Sequence, residues 1–166
     1  MKKLLLILPF IATLSCTRDD IQESNLNMLA AGKWFLSGVI TNIPIETGDS
    51  LRGDTLPINI FDLKICPECL KDDEIEISSN GGYEISLGEV RCDNDTQIFK
   101  FPHNGTWQFN RDEDGIILNP GTNDSITMDI TTLTESELQL TYYDTIPQML
   151  FKNDSAIHPI TILYRH

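Results

Sequence analysis

Positive charge is scarce in this chain: 12 lysines and arginines stand against 25 aspartates and glutamates, a formal charge of −13. A surface of that sign repels phosphate backbones and anionic headgroups, which argues against nucleic acid as a partner. Long apolar runs are missing too. The stretch Leu4 to Leu14 is too short to cross the roughly 30 Å hydrocarbon core of a bilayer. The three histidines, His103, His158 and His166, are scattered and lack metal-ligand spacing. No Gly-x-Ser-x-Gly, His-Glu-x-x-His, phosphate loop or dinucleotide fingerprint occurs. The sequence therefore points to no catalytic residue, no metal and no cofactor, and a non-enzymatic role is expected.

Two near-motifs fail on context. Cys66-Pro67-Glu68-Cys69 has the spacing of a redox dithiol, but a strand follows it rather than the helix whose N-terminus would lower a thiol pKa. Asn110-x-Asp112-x-Asp114-Gly115 begins like a calcium loop, yet the twelfth position is Gly121 where a bidentate glutamate belongs. It reads as a hairpin turn.

What is present begins with a processing signal. Lys2 and Lys3 precede the short apolar run, and Thr13-Leu14-Ser15-Cys16 follows. This resembles a bacterial lipoprotein signal, with residues 1–15 removed and Cys16 carrying palmitate-type acyl chains, although Thr13 stands where an aliphatic residue is usual. The resemblance implies an extracytoplasmic protein held at the outer membrane by its acyl chains, on its periplasmic side or at the cell surface. Ordinary secretion with Cys16 incidental is the other reading. Residues 16–27 are polar and acidic and are expected to form a flexible tether. Asn25 to Ala31 could add a helical turn or two before Gly32.

The most informative segment runs from Cys69 to Cys92. Ile75 and Ile77 alternate with acids, Asn80-Gly81-Gly82 makes a turn, and Tyr83, Ile85 and Leu87 alternate on the return. Pairing Ile77 with either Tyr83 or Ile85 keeps the apolar residues on one face. Either register brings Cys69 next to Cys92. Cys66 lies three residues further out, roughly 10 Å along an extended chain, whereas a disulfide needs Cα atoms within about 7 Å. A Cys69–Cys92 bridge is expected, and outside the cytoplasm it would persist.

Further strands are expected at Phe35–Thr41, Ile58–Lys64 and Gln97–Phe101. Trp107 and Phe109 should face Ile116 and Leu118, and Ile126, Met128 and Ile130 should return as Leu138, Leu140 and Tyr142. Pro159 to Tyr164 closes the chain. Consecutive hairpins with one apolar face imply an all-β antiparallel up-and-down meander, closed into a barrel of about eight strands. A two-sheet β-sandwich is the alternative.

Gly32-Lys33-Trp34 opening the first strand is similar to the start of lipocalin barrels. Together with Cys69, Lys71-Asp72-Asp73, Asn80-Gly81-Gly82-Tyr83, Cys92, Gly105-Thr106-Trp107 and Ile130-Thr131-Thr132-Leu133, it resembles the lipocalin-like domain of Gram-negative lipoproteins. The resemblance implies one barrel domain over residues 28–166. Two roles follow as expectations. A small hydrophobic ligand could bind inside the barrel against Trp34, Trp107, Phe109, Met128 and Leu140, with Met149, Leu150 and Phe151 as an apolar lip. Alternatively, a barrel with a solid core serves as an interaction module of the cell envelope, its protein partner unspecified.

Overall fold

A computed structural model describes residues 18–44, 55–62, 69, 71–90, 101–145 and 157–166. The chain enters as helix α1 (Arg18–Leu29) and then meanders through β1 (Lys33–Pro44), β2 (Thr55–Asn59), β3 (Glu74–Ile77) and β4 (Gly82–Ser86). It continues through β5 (Asn104–Phe109), β6 (Gly115–Leu118), β7 (Ile126–Leu133), β8 (Glu137–Thr145) and β9 (Ile157–Arg165).

Every described strand pairs antiparallel with its neighbour, and β9 returns to pair with β1. Eight strands thereby close a barrel. The ninth, β2, lies beside the C-terminal half of β1, while β3 pairs with the N-terminal end of β1. Closure excludes the sandwich, because a sandwich would leave β1 and β9 unpaired edges. The sequence makes closure favourable: Leu138, Leu140 and Tyr142 on β8 and Ile160, Ile162 and Tyr164 on β9 all turn inward with period two. Each such aliphatic side chain contributes about 1.5–3 kcal/mol on burial.

The central hairpin takes one of its two expected registers, Ile77 opposite Tyr83 and Ile75 opposite Ile85. Gly81 supplies the left-handed turn position with φ 87°. Trp107 opposes Leu118 and Phe109 opposes Ile116, and Ile130 opposes Leu140, as the alternation predicts. At Gly115 a side chain would meet the Met128 carbonyl at 2.5 Å, so only glycine lets β6 approach β7 this closely.

Three expectations need correction or fall elsewhere. The tether expected over residues 16–27 is helical from Arg18, and the helix runs to Leu29 rather than starting near Asn25. Leu29 is fully buried and Leu26 packs against the core, so docking supplies what a weak apolar face does not. The second strand covers Thr55–Asn59 rather than Ile58–Lys64, and Ile60–Asp62 form a 3-10 turn. Asn59 causes this ending: its Oδ1 accepts hydrogen bonds from the Val39 and Phe61 backbone N–H groups at 3.2 and 3.1 Å. Of the strand expected at Gln97–Phe101, residues 97–100 lie outside the described residues, and Phe101 is not in a strand.

Candidate functional site

The foot of the barrel is closed by aromatic side chains that hydrogen-bond to backbone carbonyls. Trp34 lies beneath the core, and its indole N–H donates to the Leu29 carbonyl at the end of α1 at 2.9 Å. His166 lies against it, ring centroids 3.8 Å apart, with Nδ1 2.9 Å from the Lys33 carbonyl oxygen. The indole N–H of Trp107 donates to the Ser78 carbonyl at 2.9 Å, and the Trp107 ring meets Phe109 edge to face at 5.2 Å. Trp34, Trp107, Met128 and Leu140 belong to one buried cluster with Phe109 packed at its margin. Trp34, Met128 and Leu140 are each no more than 2% exposed. The structure thus brings together all five residues expected to line the interior, and it packs them against one another as core.

The wall formed by β8, β9, β1 and β3 is different. Its inner face carries Tyr142, Tyr164, Thr41, His158 and Asp73, all buried. Tyr142, Ile160 and Thr41 lie in one cross-strand row, and Leu138, Tyr164 and Leu36 in another. Asp73 adjoins the second row, since its carbonyl accepts the Leu36 N–H at 2.9 Å. Its carboxylate accepts the Gly88 N–H at 3.2 Å. Burial holds the Asp73 carboxyl above the usual carboxylate range, and the Gly88 hydrogen bond only partly offsets this.

Three tyrosines are buried, and they divide sharply. The Tyr83 hydroxyl donates to the Pro102 carbonyl at 3.1 Å and accepts from Asn119 Nδ2 at 2.9 Å. The hydroxyls of Tyr142 (5% exposed) and Tyr164 (7% exposed) have no hydrogen-bond partner among the described residues. Burial raises the proton affinity of both well above the ordinary phenol range. Asp144 and then Tyr164 add to the effect at Tyr142, and Asp73 adds to it at Tyr164. Both groups therefore remain neutral hydroxyls at any physiological pH, able to donate and to accept.

Tyr142 also forms part of an open cleft of about 230 Å³ at the rim opposite the foot, with Phe101, Ile126 and Asp144 among its walls. The Phe101 and Tyr142 rings meet edge to face at 5.1 Å. Strand parity explains the placement. Leu138, Leu140, Tyr142 and Asp144 share the inward face of β8, and the last of them emerges at the rim, where it is exposed.

Some expected residues cannot be placed. Cys16 and the lip residues Met149, Leu150 and Phe151 lie outside the described residues. Cys69 is buried and disulfide-bonded, and Cys92 lies outside the described residues. Asn110–Gly115 form a tight hairpin turn closed by the Asn110 N–H donating to the Gly115 carbonyl at 2.9 Å. Sequence reasoning did not single out Asp73, Tyr142 or Tyr164. The signal was available for Asp73, which shares its parity with Ile75 and Ile77 and so puts an acid on the apolar face.

The family model of the lipocalin-like domain matches residues 31–140. No curated protein matches the chain.

Proposed function

The chain belongs to the lipocalin-like domain family, and from that premise we propose that it is a non-catalytic binding protein. Its ligand is a small, mainly apolar molecule taken at the rim and upper interior of the barrel. One observation carries this reading: Tyr142, only 5% exposed, lines an open cleft, and its hydroxyl has no hydrogen-bond partner among the described residues. A bound molecule could take up that hydrogen-bonding capacity, which a neutral hydroxyl offers both as donor and as acceptor. Because the foot is packed solid, the ligand sits above Trp34 and Met128 rather than against them. The absence of any recognisable catalytic motif in the sequence supports a role in binding.

The anchor belongs to the same proposal. Cys16, lipidated after removal of residues 1–15, would hold the protein to the outer membrane, with α1 leading into the barrel. Cys69 is disulfide-bonded, and Cys92 is the partner proposed for it on the sequence pattern of the hairpin. A second reading is favoured by the lower core, whose side chains form one buried cluster: the barrel is a scaffold and its outer surface binds another envelope protein. Native mass spectrometry of protein extracted from its host membrane separates the two. Retained small-molecule mass that is lost on Tyr142→Trp, which fills the cleft, supports ligand binding. A wild-type mass equal to that of the lipidated polypeptide alone would favour the scaffold.

A further inference from the structure

The rim cleft has a sign as well as a shape. Its walls include three aromatic residues, Phe101, Tyr142 and Tyr143, an aliphatic residue, Ile126, and one carboxylate, Asp144. Among the described residues that line it there is neither lysine nor arginine. Asp144 uses one oxygen locally: Oδ1 accepts from the Thr145 N–H at 2.7 Å and from the Thr145 hydroxyl at 3.3 Å. Its Oδ2 has no hydrogen-bond partner among the described residues. One pair deeper on the same face of β8, the Tyr142 hydroxyl, which has no hydrogen-bond partner among the described residues, offers an acceptor lone pair. His158 opposes Asp144 across the strand pair, but it is buried and keeps interactions of its own.

Resting on the binding role proposed above, we infer that the ligand carries a protonated amine, which the cleft holds between Asp144 and the Tyr142 hydroxyl with its apolar body against Phe101 and Ile126. The chemistry is complementary group by group. An ammonium donates hydrogen bonds and accepts none, matching a free carboxylate oxygen and an unpartnered phenol oxygen. The faces of Phe101 and Tyr142 attract a cation. A carboxylate ligand would meet the opposite field, from Asp144 at the rim and Asp73 deeper in the wall, within a chain of charge −13. A neutral alcohol would gain the phenol hydrogen bond and lose the ion pair.

Three probes of one shape but different head groups test this: benzylamine, benzyl alcohol and benzoate, titrated by calorimetry into the full-length protein. Benzylamine is expected to bind about tenfold more tightly than benzyl alcohol, with benzoate weakest. Asp144→Asn should bring benzylamine down to the level of benzyl alcohol and leave the alcohol unchanged. Asp144 is exposed, and asparagine keeps the acceptor for the Thr145 N–H, so folding is not at stake. Equal binding of the amine and the alcohol, or an amine preference that survives Asp144→Asn, overturns the inference and leaves the binding role standing. Failure of all three probes to bind overturns both.

Discussion

The foot of the barrel and its β8–β9 wall are built from the same kind of residue, large aromatics with one polar atom, and they treat that atom in opposite ways. At the foot, the indole N–H groups of Trp34 and Trp107 each meet a backbone carbonyl at 2.9 Å. Along the wall, Tyr142 and Tyr164 are buried residues too, yet their hydroxyls have no hydrogen-bond partner among the described residues. Proteins answer almost all of their buried polar atoms, and this one does so at Trp34, Trp107 and Tyr83. The foot is therefore organised for stability, whereas the wall keeps hydrogen-bonding capacity in reserve. That reserve is the physical basis for the proposed ligand site.

Substitutions at the two regions should diverge. Trp34→Ala removes the largest side chain of the foot and its bond to α1, and should destabilise the fold by about 3–5 kcal/mol in urea titration. A loss under 1 kcal/mol would mean that the foot is not organised as described. Tyr83→Phe removes the hydroxyl's bonds to the Pro102 carbonyl and to Asn119 Nδ2, and about 1–3 kcal/mol should be lost. An unchanged midpoint there would erase the distinction between answered and unanswered tyrosines.

Asp73 gives the comparison a pH dependence. Its folded carboxyl is held above the ordinary value, so on raising the pH the unfolded chain loses this proton first. Between the unfolded and folded values the native state is the one holding the proton, so this group's contribution to stability falls as pH rises, then levels off. Asp73→Asn should flatten that portion of a stability–pH curve measured by thermal melting. A curve of identical slope would show that the carboxyl is not perturbed by burial.

The sequence showed the fold where local pattern and tertiary pairing coincide. Period-two alternation located the arms around Gly81, and opposing Trp107 to Leu118 required only a short turn between them. It showed less where a long-range partner decides. The helix over Arg18–Leu29 has little apolar amplitude and is held by Leu29 in a core made of strands distant in sequence. In β2, Pro57 obscures the strand pattern, yet proline is admissible there because β2 is an edge. The side chain of Asn59, not an alternation, sets where that strand stops. Residues of the candidate site were half legible. Inward parity marks Tyr142 and Asp73, but whether a hydroxyl finds a partner depends on neighbours that only the closed barrel assembles.

The smallest expected change is also the most direct test. Tyr142→Phe deletes one oxygen and nothing else. Because that oxygen meets no protein group among the described residues, the variant should match or exceed the wild type in urea stability, by up to about 1 kcal/mol. A loss of 1 kcal/mol or more would contradict the account, since it would show that the hydroxyl already has a structural partner and is not held for a ligand.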